Sequence, residues 1–266
     1  MTNAIFTLHR GTTPLLLSLP HVGTQIPDEL KPLLVERALA VEDTDWHLEA
    51  LYSFARELGA SVIVPRHSRI LIDLNRSPEN VPMYPGVNNT ELCPTRFFTG
   101  DPIYREGCEP TPEQVAQRRE RYWQPYHDAL TVELARLKAS HGHAMLWDGH
   151  SIRSQLPWLF DGQLPDLNLG TSAGTSCSPK LRAALMQVLG EQSSFSHVTD
   201  GRFKGGYITR QYGKPADGVQ VVQLEKCWSS YMDESPPWVL APERVARLTP
   251  LLRSLLRTML DWRPDA

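Results

Sequence analysis

Two histidines of this 266-residue chain stand directly after short apolar segments, where a metal site is often built. His21 follows the segment 14–19, and His150 follows the segment 144–147. Two neutral imidazoles and one carboxylate are the usual ligands of a catalytic zinc ion that keeps one position open for water. We therefore predict one divalent metal ion, Zn²⁺, bound by His21, His150 and an acidic residue.

The acidic ligand is predicted to come from the segment Asp43-Thr44-Asp45-Trp46. Asp43 stands where a helix is predicted to begin, and helix capping alone explains a carboxylate there. Asp45 has no such explanation. We favour Asp45 as the ligand and keep Asp43 as the alternative, because the spacing of the three ligands does not form a compact motif.

Polar residues follow each of four apolar segments that we predict to be strands: His21, Asn75 with Arg76, Asp148 with His150, and Glu225. In an open α/β sheet, ligands bind beyond the carboxyl ends of the strands. If these strands are parallel, all four groups lie at one edge of the sheet. A single histidine after a strand is more often a loop or core residue, but convergence of the four groups reverses that expectation.

Two clusters of basic residues are candidates for binding carboxylates, because the guanidinium of arginine can bind a carboxylate through two hydrogen bonds. The clusters are Arg66, Arg69 and Arg76, and then Arg202, Lys204 and Arg210. For Arg66 and Arg202, a solvated charged surface is the simpler interpretation. The pair Gly205-Gly206 indicates a loop whose backbone closes on a ligand. Two clusters suit a substrate with two carboxylates, and we predict that Lys204 and Arg210 hold the side-chain carboxylate.

The elements that must position these residues alternate between strands and helices. The predicted strands cover residues 14–19, 61–64, 69–72, 144–147 and 219–224. Helices are predicted from about residue 27, over 43–58, from the capped start at Thr111 to about 140 with an interruption at Pro125, from 178, and over 242–260. This alternation predicts an α/β sandwich around a mostly parallel sheet, in a single domain of residues 1–266. Residues 77–110 show no periodicity, and so long a loop is usually functional.

The composition excludes several classes of partner. A net charge of −3 provides no basic surface for nucleic acid or for a membrane. The first ten residues lack the features of a secretory signal. The four cysteines form no C-x-x-C pair, which indicates neither a disulfide framework nor a thiolate zinc site. We expect a cytoplasmic protein with a small-molecule substrate, and the sequence leaves the oligomeric state open.

One alternative is a serine hydrolase, because Gly170-Thr171-Ser172-Ala173-Gly174 matches the G-x-S-x-G pattern. No strand is predicted before it, the next helix begins too late, and no Asp lies between Ser172 and His197, the only later histidine. We interpret these residues as a loop. A second alternative is a non-catalytic dicarboxylate-binding protein, which would explain the arginines but not the two histidines and Glu225.

Six segments of the chain resemble, in this order, the N-formylglutamate amidohydrolases (deformylases) of bacterial histidine degradation. They are SLPHVGT at 18–24, DTDW at 43–46, RILIDLNR at 69–76, WDGHS at 147–151, FKGGYITR at 203–210 and QLE at 223–225. The resemblance extends over nearly the whole chain. That family is similar in fold to the zinc carboxypeptidases and the succinylglutamate desuccinylases.

The resemblance implies a phosphorylase/hydrolase-like fold, a three-layer α/β/α sandwich with a mixed, mostly parallel sheet. It also implies a zinc-type site at His21 and His150, a grip of Asn75 and Arg76 on the substrate α-carboxylate, and Glu225 as the general base. The implied activity is metal-dependent hydrolysis of N-formyl-L-glutamate to L-glutamate and formate, the last step of histidine degradation. The nearest alternative is a hydrolase of another N-acyl amino acid.

Two further expectations accompany this activity. Arg69 is our candidate for holding the developing oxyanion, a role that needs a fixed positive donor. Asp148 is expected to orient a metal ligand from behind it. The chain departs from the carboxypeptidase pattern at Thr24, where a glutamate would stand three residues after the first histidine. The acidic ligand must therefore come from elsewhere in the chain.

Overall fold

A mixed sheet forms the centre of the protein. The computed structural model describes residues 4–83, 86 and 88–264. Within these ranges the strands are β1 Phe6–His9, β2 Leu15–Ser18, β3 Ser61–Pro65, β4 Ala144–Ile152, β5 Leu167–Gly170, β6 His197–Thr199 and β7 Val219–Cys227. Their order in the sheet is β1-β3-β2-β4-β7-β5-β6. Four pairs are parallel, and only β1 with β3 and β5 with β7 are antiparallel.

Helices of very different lengths connect the strands. The α-helices of the described ranges are α1 Leu48–Leu51, α2 Pro112–Arg118, α3 Gln124–His141, α4 Pro179–Gly190, α5 Tyr207–Tyr212 and α6 Pro242–Asp261. Short 3₁₀ helices lie at Lys31–Leu33, Glu36–Ala40, Ser53–Ala55, Pro215–Asp217 and Trp228–Ser230. Across the residues that the structure covers, no helix combines the length and the apolar character needed to span a bilayer.

The helices cover both faces of the sheet, because side chains along a strand point alternately to its two sides. Leu15 and Leu17 of β2 pack in one core cluster with the leucines of α4 and α6. Leu16, between them, packs in a second cluster with the leucines of α3. The predicted three-layer α/β/α sandwich with a mixed, mostly parallel sheet is therefore confirmed.

The predicted helix start at Thr111 is confirmed. The Thr111 hydroxyl accepts a hydrogen bond from the backbone N–H of Gln114 at 3.3 Å, and the Gln114 side chain accepts one from the Thr111 N–H at 3.0 Å. This reciprocal pair is a capping box. The predicted interruption at Pro125 takes the form of a π-helical turn, Arg119–Trp123, between α2 and α3. Proline is then tolerated, because it stands in the first turn of α3.

Three predictions of secondary structure are wrong. Residues 69–71 form a turn and residue 72 is irregular, so no strand forms there, and β1 and β2 occupy both sides of β3. The helix predicted over 43–58 is reduced to α1 and one 3₁₀ turn, since His47 takes a left-handed conformation with φ of 62° just before α1. The helix predicted from about residue 27 is replaced by two 3₁₀ helices.

Strands β4 and β7 are longer than predicted, and this difference creates the site. The two strands pair over nine positions, from Ala144 with Val219 to Ile152 with Cys227. Their neighbour β2 ends at Ser18, which pairs with Asp148. The last four residues of β4 therefore extend past the end of β2, and the chain that follows β2 can lie beside them.

Candidate functional site

The ends of β4 and β7 present chemically active side chains to one face of the sheet. His150 and Glu225 are direct neighbours in the β4–β7 register. By alternation they share the face of Leu146 and Val221, which is the face that α3 covers further back. Beyond the cover of α3, this face borders a cavity that both His150 and Glu225 line.

His21, Asp45 and His150 come together as a possible metal site. One ligand atom from each lies within 4.8 Å of the others, and all three residues are buried. The His150 Nδ1 atom is 3.2 Å from His21 Nδ1 and 3.3 Å from Asp45 Oδ2. The third distance, from His21 Nδ1 to Asp45 Oδ2, is 3.7 Å. Bonds of about 2.0–2.1 Å in a tetrahedral zinc site separate ligand atoms by roughly 3.4 Å, so the group has the right dimensions.

Carboxylates behind the two histidines orient their rings. The Nε2 atom of His21 is 2.7 Å from Asp73 Oδ1, and that of His150 is 2.9 Å from Asp148 Oδ2. When a carboxylate accepts the Nε2 proton of a neutral ring, the Nδ1 lone pair is the one available to a metal ion, and both Nδ1 atoms lie near Asp45. This carboxylate–histidine arrangement is the usual support of histidine metal ligands.

The electrostatics of the group favour a cation at its centre. Burial and the positive charge of Arg69 lower the pKa of His21, so its ring is suited to be a neutral ligand. Burial also lowers the pKa of His150, but the charges of Asp148 and Asp45 outweigh it and raise the value to about 10. The Asp45 Oδ2 atom is buried without a hydrogen-bond partner among the described residues. An ion between the rings would supply that missing partner.

The two acidic candidates for the metal site have different surroundings. Asp45 lies beside His21, since its backbone N–H donates to the His21 carbonyl at 3.0 Å. The Asp43 side chain instead accepts a hydrogen bond from the backbone N–H of Phe98 at 2.9 Å. Burial raises the pKa of Asp43 to about 6. The ligand group described above contains Asp45 and not Asp43.

Glu225 has the environment of a proton acceptor. Its side chain is 7% exposed and lines the cavity, and its Oε1 atom is buried without a hydrogen-bond partner among the described residues. Burial raises the pKa of Glu225 above the usual range of a glutamate, although the positive charge of His150 opposes this effect. A raised pKa brings a carboxylate closer to the value that suits a general base near neutral pH.

Arg69 is held rigidly beside the ligand group. Its guanidinium pairs with the Asp73 carboxylate and lies 4.4 Å from the centre of the Phe98 ring. Its Nη1 atom is 3.4 Å from His21 Nδ1. The turn at 69–71, where a strand was predicted, is what brings Arg69 and Asp73 to the same ring of His21. A fixed cation therefore lines the cavity next to the candidate ligands.

Asn75 and Arg76 also line the cavity. The Asn75 side chain donates to Asp148 Oδ2 at 3.2 Å and accepts from the Ile208 N–H at 2.8 Å. The Arg76 side chain donates to the carbonyl of Thr90 at 3.0 Å and to its hydroxyl at 2.9 Å. Asn75 thus links Asp148, which holds the His150 ring, to Ile208 of α5. Arg76 links the site to Thr90, in the 77–110 loop that we predict to be functional.

The three residues of the second basic cluster, Arg202, Lys204 and Arg210, lie in different surroundings. Lys204 and Arg210 are exposed, and the described residues that line the cavity include neither of them. The Arg210 side chain donates to the carbonyl of Met83 at 3.1 Å. Arg202, which the sequence suggested to be surface charge, does line the cavity, together with Phe203.

Asp73 is the other site residue that sequence reasoning did not single out. The available signal was its spacing from two arginines, four residues after Arg69 and three before Arg76. The Asp73 carboxylate is fully buried. Burial acts to raise its pKa, but the charges of Arg69 and His21 outweigh burial and hold the pKa well below the usual range. A permanent negative charge therefore lies behind His21.

The serine-hydrolase pattern has no catalytic geometry. A strand, β5, does precede it, contrary to prediction, and Ser172 has a φ of 50°. The buried Ser172 hydroxyl nevertheless has no hydrogen-bond partner among the described residues, so no histidine there is placed to activate it. The neighbouring Thr171 hydroxyl instead donates to Asp200 at 2.6 Å.

The chain is similar to known proteins over most of its length. The N-formylglutamate amidohydrolase family matches residues 13–232. An N-formylglutamate deformylase of Pseudomonas putida is 46% identical over 97% of this chain and 96% of its own length. Another, of Pseudomonas aeruginosa, is 47% identical over 97% of both chains.

Solved structures share the fold. The crystal structure of an N-formylglutamate amidohydrolase from Ralstonia eutropha JMP134 superposes with a TM-score of 0.80 at 26% identity, covering 96% of this chain and 97% of that one. A gene product of Agrobacterium tumefaciens superposes with a TM-score of 0.73 at 16% identity, covering 96% and 94%, which shows similarity of fold alone. From the match over most of its length and from its close relatives, the chain belongs to the N-formylglutamate amidohydrolase family.

Proposed function

We propose that this protein is a cytoplasmic, metal-dependent enzyme, with one catalytic domain over residues 1–266, that hydrolyses N-formyl-L-glutamate to L-glutamate and formate. In this proposal it performs the last step of histidine degradation. The observation that carries it is the buried group of His21, Asp45 and His150 beside Glu225, in a cavity that is also lined by arginines. The names of the two Pseudomonas relatives support the choice of substrate.

The residues of the site have separate tasks in the proposed reaction. His21, Asp45 and His150 would hold a divalent ion, Zn²⁺ in this proposal, and a bound ion would supply Lewis acidity for the formyl oxygen and for the attacking water. Glu225 accepts a proton as water attacks the formyl carbon, and it then passes this proton to the departing amine nitrogen. Arg69 stabilises the negative charge that develops on the formyl oxygen.

Asn75 and Arg76 hold the α-carboxylate of the substrate in this proposal. A guanidinium can bind a carboxylate through two hydrogen bonds, and the Thr90 contacts of Arg76 fix its direction. Asp73 and Asp148 do not touch the substrate. They hold the rings of His21 and His150 so that both Nδ1 atoms stay directed at one point.

The test of substrate and metal is a set of steady-state measurements. The value of kcat/KM is determined for N-formyl-, N-acetyl- and N-succinyl-L-glutamate, before and after removal of metal by a chelator and after its return. We expect preference for the formyl compound and a loss of turnover that added Zn²⁺ restores. Binding without turnover would favour a dicarboxylate-binding protein, and turnover that survives chelation would contradict the metal site.

The test of the base is Glu225→Gln, which keeps the size of the side chain and removes its charge. We expect full metal content and a kcat lower by about 10²- to 10⁴-fold, the usual contribution of a general base. Glu243→Gln, an exposed glutamate in the first turn of α6, is the matched control and should leave kcat unchanged. A Glu225→Gln enzyme with normal kcat would contradict the assignment of Glu225 as the base.

A further inference from the structure

We propose that Arg202 binds the side-chain carboxylate of the substrate, and that the apolar residues beside it contact the side-chain methylene groups. This inference rests on the proposed function, because it assigns one part of the same cavity. It gives Arg202 the task that the sequence suggested for Lys204 and Arg210. The substrate chemistry to be recognised is an N-acyl amino acid with a short acidic side chain.

The wall of the cavity around Arg202 matches that chemistry. Ile152, Leu159 and Phe203 line the cavity, and they belong to one apolar cluster. A glutamate side chain consists of two methylene groups that end in a carboxylate. Such a side chain needs an apolar surface that leads to a cation, and this wall provides both within one patch.

The direction of the Arg202 guanidinium is fixed by the protein. Its Nε and Nη2 atoms donate to the carbonyl oxygen of Leu159 at 3.3 Å and 3.0 Å. Its central carbon lies 5.2 Å from the centre of the Phe203 ring, and Phe160 packs edge-on against that ring. Arginine carries five N–H donors in a planar fork, a geometry that fits a carboxylate. A side chain anchored in this way loses little conformational freedom when it binds a ligand.

The segment that carries Arg202 is held at both ends. Before it, the Asp200 N–H donates to the Leu169 carbonyl at 2.7 Å, and the Asp200 side chain accepts from the Thr171 N–H at 2.7 Å. After it, the Gly206 N–H donates to the Gln223 side chain at 2.7 Å. The short segment between these ties therefore presents Arg202 to the cavity as a fixed feature.

Arg76 and Arg202 reach the cavity from different segments. Arg76 is anchored on Thr90, whereas Arg202 is anchored on Leu159. Two cations with separate anchors in one cavity correspond to a substrate with two carboxylates. Lys204 and Arg210 are close to Arg202 in sequence but exposed, which makes them natural controls.

The experiment compares N-formyl-L-glutamate with N-formyl-L-glutamine, which has nearly the same shape but an uncharged side chain. Arg202→Gln should lower kcat/KM for the glutamate compound by about 30- to 150-fold, the effect of losing one charge-assisted contact. The value for the glutamine compound should stay within about threefold. Lys204→Gln and Arg210→Gln should leave both values unchanged. Arg202→Lys, which keeps the charge but not the fork, should retain part of the preference for glutamate.

Equal losses on both substrates, or no loss on either, would overturn the assignment of Arg202. Calorimetric titration of each variant with L-glutamate and L-glutamine tests the same contact without turnover. A selective loss of L-glutamate affinity in Arg202→Gln supports the proposal, and unchanged affinity contradicts it. If Arg202→Gln does not fold, a selective decrease with Arg202→Lys supports the proposal and its absence overturns it. A wild-type enzyme that binds L-glutamate but does not hydrolyse N-formyl-L-glutamate would contradict the proposed function alone.

Discussion

At the residue scale, Asp43 and Asp45 are only two positions apart in sequence but have different surroundings. The Asp45 carboxylate faces the rings of His21 and His150, whereas Asp43 accepts a hydrogen bond from the backbone of Phe98. Both are buried, so burial does not distinguish them. Each also has one buried carboxylate oxygen without a hydrogen-bond partner among the described residues. What distinguishes them is that Asp45, and not Asp43, belongs to the ligand group with His21 and His150.

Separate substitution of Asp45 and Asp43 tests which of the two binds the metal ion. Asp45→Asn should weaken metal binding by more than the roughly 10- to 100-fold that loss of a supporting residue costs, because it removes a charged ligand. Asp43→Asn is the matched control and should keep its metal. Elemental analysis after dialysis, followed by titration against a competing chelator, measures both affinities. Loss of metal from the control and retention by Asp45→Asn would reverse the assignment.

Some of the site could be predicted from residue types alone. Two histidines after apolar segments, and an aspartate that helix capping did not explain, were enough to propose His21, His150 and Asp45 as a group, because imidazoles and a carboxylate are the usual zinc ligands. Asp73 was not proposed, because its contact with His21 depends on a turn that the apolar residues 70–72 concealed. Arg202 was named with Lys204 and Arg210 but interpreted as solvated surface, since the exposure of a charged side chain cannot be read from the identity of its neighbours in sequence.

At the element scale, the sequence predicts where buried strands begin better than where they end. The apolar runs at 144–147 and 219–224 located β4 and β7, but both strands continue through polar residues. Their extension depends on pairing between strands that are far apart in sequence, and no local pattern encodes that pairing. The same limit explains the wrong strand at 69–72, whose apolar residues Ile70, Leu71 and Ile72 are buried but form no strand.

The contact between the loop before α5 and the segment after residue 72 can be tested at Gly206. A Cβ atom added there would lie 2.3–2.5 Å from the side-chain amide of Asn75, which has to move. Because Asn75 donates to Asp148, the support of His150 moves as well. Gly206→Ala should therefore lower kcat/KM for N-formyl-L-glutamate by tenfold or more, as expected for a displacement of about 1 Å in a catalytic site.

The control for this substitution is Gly190→Ala at the end of α4, where an added Cβ would meet nothing within 4 Å. It should leave kcat/KM unchanged and should not lower the melting temperature, because alanine favours a helix more than glycine does. Normal activity in Gly206→Ala would show that the loop and Asn75 are not coupled to the site.

At the scale of the whole molecule, His127 joins three parts of the structure. From α3, its Nε2 atom lies 2.9 Å from the Leu74 carbonyl, and its Nδ1 atom lies 2.9 Å from the hydroxyl of Tyr212 on α5. Its ring stacks on Trp123 at 3.7 Å. Burial lowers the pKa of His127 to about 4, although its hydrogen bond to Leu74 opposes this effect. His127 is therefore a neutral residue in the folded protein at neutral pH.

This lowered pKa predicts how stability changes with pH. In the unfolded chain, histidine takes up a proton below about pH 6.5, whereas folded His127 does so only near pH 4. The unfolded state thus binds more protons than the folded state between these two pH values. The contribution of His127 to the free energy of unfolding therefore falls by about 3 kcal/mol as the pH drops from 6.5 to 4. Above pH 6.5 the full contribution is present.

Urea denaturation at several pH values between 7.5 and 4.5 measures this effect. The stability difference between wild type and His127→Gln should shrink as the pH falls, because the variant cannot take up the proton. The exposed His9 supplies the control, His9→Gln, whose difference from wild type should stay nearly constant. A constant difference for His127→Gln as well would contradict its role as a neutral buried residue.

The long pairing of β4 with β7 places some residues of the cavity on a rigid backbone and leaves others on loops. His150 and Glu225 are carried by backbone that nine paired positions hold in place, whereas Thr90, Leu159 and Arg202 reach the cavity from loops. Loops accept substitutions and changes of length far more readily than paired strands do. Substitutions in these three loop residues should therefore change which substrate fits the cavity, while the paired strands keep His150 and Glu225 in place.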